Sequence, residues 1–112
     1  MSEKQVTEIV FVVDVTSFTE RGFVGTSTYE GAPLEIEFDD SDAGVRLTPE
    51  MCKRLGVRKG SGVVIVGEDD DKPQVAESVV YSTGDRVRIS NARIYYFVGR
   101  SGGAVIRIRR RD

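Results

Sequence analysis

The strongest constraint on the fold is a surplus of β-branched residues over good helix formers. The chain of 112 residues contains 17 Val and 7 Ile, against 3 Leu and 5 Ala. Branching at Cβ restricts Val and Ile in helices and favours them in strands, whereas Leu and Ala favour helices. The composition therefore predicts a mainly β protein, and the length predicts a single domain over residues 1–112.

The apolar residues fall into short runs that are separated by turn residues. Residues 8–16, 23–29 and 34–38 follow one another with short connections, which predicts a three-stranded meander. Residues 45–47 are predicted to be short and extended, and further strands are predicted over residues 63–66, 74–81, 86–89, 92–98 and 104–110. About eight strands indicate an all-β fold, either a small barrel or a sandwich. Residues 1–6 are predicted to be a disordered N-terminal arm.

A single short helix is predicted over residues 48–55. Thr48 is a favoured N-cap, Pro49 suits the first helical position, and Gly56 allows a left-handed C-cap. The first turn is acidic and the last turn is basic, so both ends complement the helix dipole. All these signals agree on the same boundaries.

The stretch from residue 45 to 66, VRLTPEMCKRLGVRKGSGVVIV, resembles the strand–helix–strand unit of cradle-loop barrels. That group includes the AbrB-type regulators and the double-psi barrels. Their units run from a short strand through a Pro-started helix, a Leu-Gly-aliphatic ending and a Gly turn into a Val-rich strand. Here Thr48-Pro49-Glu50 begins the helix, Leu55-Gly56-Val57 ends it and Gly60 begins the turn. The resemblance covers about a fifth of the chain and implies a small barrel.

The size and the β-rich, His-free composition of the whole chain are similar to the small arcadin proteins encoded beside archaeal actins. This resemblance implies a non-enzymatic accessory protein of an archaeal actin-like cytoskeleton, without known catalytic chemistry. High charge, abundant Arg and few thermolabile residues are typical of a thermophile.

Missing residue types exclude several kinds of chemistry. The chain has no His and one Cys, which excludes Ser-His and Cys-His triads, zinc sites with His ligands and an internal disulfide. We therefore predict no enzyme, no catalytic residue, no metal and no cofactor. The single Cys52 lies on the predicted helix and is interpreted as a buried packing residue.

Two acidic stretches, residues 39–42 and 68–71, offer carboxylates that could bind Ca²⁺ or Mg²⁺. Neither has the spacing of an EF-hand loop. We interpret them as solvated loops. The glycine-containing stretches 60–62 and 99–103 do not precede a predicted helix, so they are interpreted as turns rather than phosphate loops.

The charge is unevenly distributed although the net charge is only −2. Residues 1–56 carry 5 basic and 11 acidic groups, and residues 57–112 carry 11 basic and 7 acidic groups. This polarity favours self-association or binding to another protein. The candidate partner-binding residues are the arginines of the last strands: Arg86, Arg88, Arg107, Arg109, Arg110 and Arg111.

Three interpretations of this arginine set remain open. Alternation along strands would place the side chains on one solvent face, where they could bind an acidic protein surface or a second copy. They could instead bind a nucleic-acid backbone. Alternatively, Glu35 and Glu37 alternate on an equally regular strand and could neutralise them by cross-strand pairing.

The predicted strand over residues 92–98 carries three consecutive aromatic residues. Alternation predicts that Tyr95 and Phe97 face the interior and that Tyr96 faces solvent. The chain has no apolar run long enough to cross a bilayer, and its N-terminus lacks the pattern of a signal peptide. We therefore predict a cytoplasmic protein without a membrane partner.

Overall fold

Among the described residues, eight strands close into a barrel around an apolar core. The computed structural model describes residues 5–20 and 22–111. The strands are β1 Glu8–Phe18, β2 Gly22–Tyr29, β3 Ala32–Asp39, β4 Gly44–Leu47, β5 Gly62–Glu68, β6 Gln74–Thr83, β7 Val87–Ser90 and β8 Gly103–Arg110. The helices are α1 Pro49–Leu55 and α2 Ala92–Ser101. The predicted all-β fold is confirmed, and it is a barrel rather than a sandwich.

The strands follow one another around the barrel in the order β1-β2-β3-β7-β4-β6-β5-β8. The first three strands form the predicted antiparallel meander. The barrel closes because β8 pairs antiparallel with both β1 and β5, and Ile108 faces Ile9 on one side and Ile65 on the other. Closure leaves each long strand with a neighbour on both sides, which protects strand edges from pairing with other chains.

The core follows from the two-residue period of the strands. On β1 the alternate residues Ile9, Phe11 and Val13 are at most 1% exposed, and on β8 the alternate residues Ile106 and Ile108 are fully buried. Apolar side chains from all eight strands meet in the interior in this way. Burial of this apolar surface provides the main stabilisation of the barrel.

Helix α1 confirms the prediction for residues 48–55. The Thr48 hydroxyl accepts a hydrogen bond from the Met51 amide at 3.2 Å, and Gly56 ends the helix with a φ of 74°. The helix buries Met51, Cys52 and Leu55 against the barrel. Cys52 is thus the packing residue that the sequence predicted, and burial raises the pKa of its thiol.

The prediction of a strand over residues 92–98 is wrong, because this segment forms helix α2. The Asn91 side chain caps it by accepting a hydrogen bond from the Ile94 amide at 3.1 Å, and Gly102 ends it with a φ of 76°. The buried residues Ile94, Phe97 and Val98 follow the i, i+3, i+4 spacing of a helix face. The stretch 99–103 therefore contains the end of α2 instead of a turn between two strands, and the chain has a second helix.

The strand–helix–strand order occurs twice. The first unit is β4–α1–β5 and the second unit is β7–α2–β8. The strand that precedes each unit pairs in parallel with the first strand of the other unit, since β3 pairs with β7 and β6 with β4. Strands β4 and β7 pair antiparallel, with Arg46 directly opposite Arg88. The two units are therefore related by an approximate two-fold axis, which passes between these two arginines.

The predicted N-terminal arm lies partly outside the described residues, which omit residues 1–4. Within the rest of that arm, Val6 packs against the core, and its amide donates a hydrogen bond to the Arg54 carbonyl at 2.9 Å. The chain is therefore anchored to α1 before β1 begins. In the described part of the chain, neither helix is long and apolar enough to cross a bilayer.

Candidate functional site

The structure does not bring the six predicted arginines onto one face. Arg86 and Arg88 lie at β7, whereas Arg107, Arg109 and Arg110 lie on β8. Strands β7 and β8 are separated by β1, β2 and β3 in one direction and by β4, β6 and β5 in the other. The two groups therefore lie on opposite sides of the barrel, and the expectation of one shared arginine face is wrong.

Most arginines of β8 pair with carboxylates of neighbouring strands. Arg107 pairs with Glu8 at 3.0 Å and with Glu68 at 3.5 Å, and Arg109 pairs with the same Glu8 at 3.3 Å. Beyond the strand, Arg111 pairs with Glu77 at 3.4 Å. Internal neutralisation, one of the three interpretations of the sequence, thus applies to much of β8. Its acidic partners are not the predicted Glu35 and Glu37.

A basic end of the barrel is formed where α1 finishes and β8 finishes. The amide of Arg111 donates to the Gly62 carbonyl at 3.0 Å, which places the end of β8 beside the turn after α1. The exposed cations of this basic end are Lys53, Arg58, Lys59, Arg110 and Arg111. Within the described chain, Arg58, Lys59 and Arg110 have no carboxylate partner, so their charges face solvent.

An acidic end is formed at the opposite side, where both acidic loops contact α2. The Asp42 carboxylate accepts a hydrogen bond from the Ala92 amide at 2.7 Å, and Asp40 accepts one from the Tyr96 hydroxyl at 2.8 Å. The Asp69 carboxylate accepts one from the Ser101 hydroxyl at 2.6 Å. Helix α2 therefore holds both loops at the same end of the barrel, one loop at each of its ends.

Aromatic side chains line the acidic end beside these carboxylates. The Phe23 ring stacks on Phe38 with centroids 4.9 Å apart and on Tyr95 with centroids 5.0 Å apart. The outer members of the cluster are Phe18, 72% exposed, and Tyr96, 58% exposed. The predicted exposure of Tyr96 and burial of Phe97 are confirmed, although a helix face produces them and not a strand.

Next to the acidic end, Arg88 is held by a dense polar network. Its Nε donates to Asp39 at 2.6 Å, and its Nη1 donates to the Tyr81 hydroxyl at 2.8 Å. Burial alone would raise the pKa of Asp39. Hydrogen bonds from the Ser41 and Ser90 hydroxyls and from Arg88 outweigh burial and lower that pKa to about 2.

The same network acts on Arg88 itself. Burial opposes the charge of Arg88, but its hydrogen bonds to Asp39 and Tyr81 are stronger, so its pKa is raised. The carboxylate and the guanidinium therefore stay ionised together at neutral pH. This part of the predicted binding set is a structural anchor between β3, β6 and β7.

A groove of about 520 Å³ runs along the outer face beside this anchor. Its charged lining includes Glu35 and Glu37 from β3 together with Arg46 and Arg86. Arg86 is 79% exposed and lies 3.8 Å from Glu37, which is a weak surface pair. Glu37 thus takes part in the predicted pairing, and no ion pair forms at Glu35 in the described structure.

The described residues contain no group of three or more His, Cys, Asp or Glu side chains that could hold a metal ion. In the acidic loops, the carboxylates of Asp39, Asp42 and Asp69 accept hydrogen bonds from backbone amides of the chain itself. Comparison with protein-family models, curated proteins and solved structures finds no significant match to this chain.

Sequence reasoning did not identify Arg46, Tyr81 and Asp39 as neighbours. Each lies on a different strand, and β4 is bordered by β7 and β6, which come much later in the chain. The repeated segments Val45-Arg46-Leu47 and Val87-Arg88-Ile89 were the available signal. Together with a capped helix after each, they indicate two equivalent units.

Proposed function

We propose that the protein is a non-enzymatic binding module that assembles through the oppositely charged ends of its barrel. The observation that carries this proposal is the gathering of exposed charge at the ends: cations where α1 and β8 finish, and carboxylates around α2. The partner is an acidic protein surface for the basic end. The acidic end of a second copy of this chain is such an acidic surface and could fill this role.

The basic end is suited to a protein partner because its charges are available. Arg58, Lys59 and Arg110 have no internal carboxylate partner among the described residues. Arg in particular forms bidentate pairs with carboxylates in a fixed geometry. The side chain of Arg110 also lies close to Gly56 at the end of α1.

The acidic end supports the same proposal because it combines charge with exposed aromatic surface. Phe18 and Tyr96 expose most of their side-chain surface next to the carboxylates of Glu20 and Asp40. Tyr and Phe are enriched at protein interfaces, where they bury much area at a low entropic cost. An Arg side chain from a partner could pair with a carboxylate and stack on a ring at once.

Contact between the basic end of one copy and the acidic end of the next would be head-to-tail. Such heterologous contacts form open arrays unless a rotation closes them into a ring. The arrangement fits an accessory protein that lies along a filament. In line with the resemblance to arcadins, we propose an actin-like filament of an archaeal cytoskeleton as the setting.

Nucleic-acid binding through the arginine-rich strands is less well supported. A phosphate backbone needs a continuous track of available cations. Arg88, Arg107 and Arg109 are engaged by carboxylates, and the β7 and β8 groups lie on opposite sides of the barrel.

Sedimentation velocity at several salt concentrations tests the proposal. We expect self-association at about 50 mM salt and its loss at about 1 M, where the screening length falls to about 3 Å. Arg110→Glu should weaken the association. Arg93→Glu, the same change on exposed α2, should not weaken it, because Arg93 lies at the acidic end.

Two further results would bear on the partner. Co-sedimentation with the purified actin-like protein of the same genome, weakened by Arg110→Glu and not by Arg93→Glu, would support the filament setting. A salt-independent monomer that also fails to bind these filaments would refute the proposal. Tight binding to a DNA duplex at about 50 mM salt would favour the nucleic-acid alternative.

A further inference from the structure

A half-buried arginine without an acceptor lies in the groove on the flank of the barrel. The guanidinium carbon of Arg46 lies 5.7 Å from the centre of the Tyr81 ring. Among the described residues, Arg46 has no carboxylate partner and no hydrogen-bond acceptor for its side chain. None of its side-chain nitrogens is buried without a partner in the described part of the molecule, so its donors reach solvent. They are therefore free to bind a group that carries a matching acceptor.

Its counterpart in the second unit shows which group that would be. Arg88 also stacks against Tyr81, with its guanidinium carbon 5.5 Å from the ring centre. Unlike Arg46, it is paired with the carboxylate of Asp39. Asp39 lies two residues beyond Glu37, which is the β3 residue paired with Arg88 in the sheet.

The equivalent position beside Arg46 is Gly84. Arg46 is paired in the sheet with Ser82 of β6, and Gly84 lies two residues beyond Ser82. A Cβ added at Gly84 would meet only the Cδ atom of Arg46, at 3.4 Å. Where Arg88 meets a carboxylate, Arg46 therefore meets open space beside a glycine. The adjacent Asp85 is exposed and forms no ion pair with Arg46.

We propose that the space beside Gly84 is a binding site for a carboxylate supplied by a ligand, with Arg46 as its principal donor. The planar guanidinium matches a carboxylate in a bidentate geometry. Arg86, exposed in the same groove, adds a second positive charge.

The charges of the groove select a singly charged carboxylate over a more highly charged group. Glu35 and Glu37 line the same groove as Arg46 and would repel a phosphate dianion or a nucleic-acid backbone. The groove would bind a ligand with one carboxylate whose neighbouring groups are neutral or basic. The source is either an acidic side chain of a protein or a small carboxylic acid, which share this chemistry.

Nuclear magnetic resonance of the arginine side chains tests this site. The Nε–Hε signal of Arg46 is followed during titration with acetate and, separately, with a blocked peptide that contains a single Glu. We expect the Arg46 signal to shift with saturable dependence on one or both probes. Inorganic phosphate should shift it less. Acetate binding would indicate a small-molecule source, and binding of the peptide alone would indicate a protein side chain.

Gly84→Asp is the decisive variant because it supplies the missing carboxylate from within the chain. It should weaken probe binding by roughly tenfold or more, a loss that titration resolves directly. Gly84→Ala adds the Cβ without the charge and should bind as the unaltered protein does. Arg46→Gln, followed through the backbone amide signal of Gly84, provides a second loss-of-binding variant in case Gly84→Asp fails to fold.

An Arg46 signal that moves with neither carboxylate would overturn the proposal. Binding of equal strength in Gly84→Asp and in the unaltered protein would overturn it too. The site is on the flank of the barrel, so the charge reversal of Arg110 at the basic end leaves it unchanged. Failure of end-to-end assembly and failure of carboxylate binding are therefore separate results.

Discussion

The first and second units begin with nearly the same strand, Val45-Arg46-Leu47 and Val87-Arg88-Ile89, yet their arginines differ sharply. Arg88 is fixed by a carboxylate and a tyrosine hydroxyl, whereas Arg46 has only the tyrosine ring. The difference arises from the strand alongside each arginine, which offers Asp39 in one case and Gly84 in the other. Local sequence sets where each arginine points, and distant sequence sets whether its charge is balanced.

The helices of the two units are packed equally deeply, which leads to the largest predicted effect. Leu55 of α1 and Ile94 of α2 are both fully buried. Leu55→Ala and Ile94→Ala should each lower the free energy of unfolding by about 2–5 kcal/mol, measured by urea denaturation. The exposed Lys53→Ala should change it by less than about 0.5 kcal/mol. An Ile94→Ala effect as small as that control would show that α2 is not part of the core.

The two arginines should differ in stability when each is changed in the same way. Arg88→Gln should lower the free energy of unfolding by about 2–3 kcal/mol, because it leaves the Asp39 carboxylate half-buried without its cation. Arg46→Gln should lower it by less than about 1 kcal/mol, since only the contact with the Tyr81 ring is lost. Equal losses in urea denaturation would contradict the contrast between the two sites.

Acidic pH should remove the stabilisation that the ionised Asp39 provides at the Arg88 site. The pKa of Asp39 is lowered to about 2 in the folded protein, whereas an unfolded Asp has a pKa of about 4. The ionised carboxylate therefore stabilises the fold fully above pH ~4, and this stabilisation is lost as the pH falls toward ~2. Urea denaturation at several pH values should show that Asp39→Asn lacks this component. The exposed Asp85→Asn should retain it.

The smallest predicted effect compares the two N-caps. The Thr48 hydroxyl and the Asn91 amide oxygen each accept one hydrogen bond from the first turn of their helix. Thr48→Ala and Asn91→Ala should each lower the free energy of unfolding by about 1 kcal/mol. Thermal denaturation followed by circular dichroism measures both. No loss for Asn91→Ala would mean that packing alone sets the start of α2.

The sequence was sufficient for α1 because its caps, its proline and its charged ends all lie within a few residues. Helix α2 has the same kind of caps in Asn91 and Gly102, but Ile94, Tyr95 and Phe97 lie between them and favour strands by propensity. The burial of one helix face outweighs that propensity. A search for the i, i+3, i+4 spacing between two cap residues would have identified α2.

The meander was predictable because its neighbouring strands are also neighbours in sequence. The rest of the barrel was not, since the parallel pairings of β3 with β7 and of β4 with β6 join distant segments. The predicted arginine face required β7 and β8 to lie side by side. The observed strand order separates them, so the arginines lie on two sides of the barrel. The contrast of Asp39 with Gly84 also depends on these crossing pairings and not on any local motif.

The position of β8 has a consequence for how the chain reaches its folded state. This strand joins β1, the first strand, to β5, and both would keep unpaired edges without it. During synthesis, residues 103–110 must leave the ribosome before those edges can be covered. Contacts between segments so far apart in sequence form slowly, and open strand edges promote aggregation. The closed barrel can therefore form only after β8 has emerged, although β1 and β5 emerge before it.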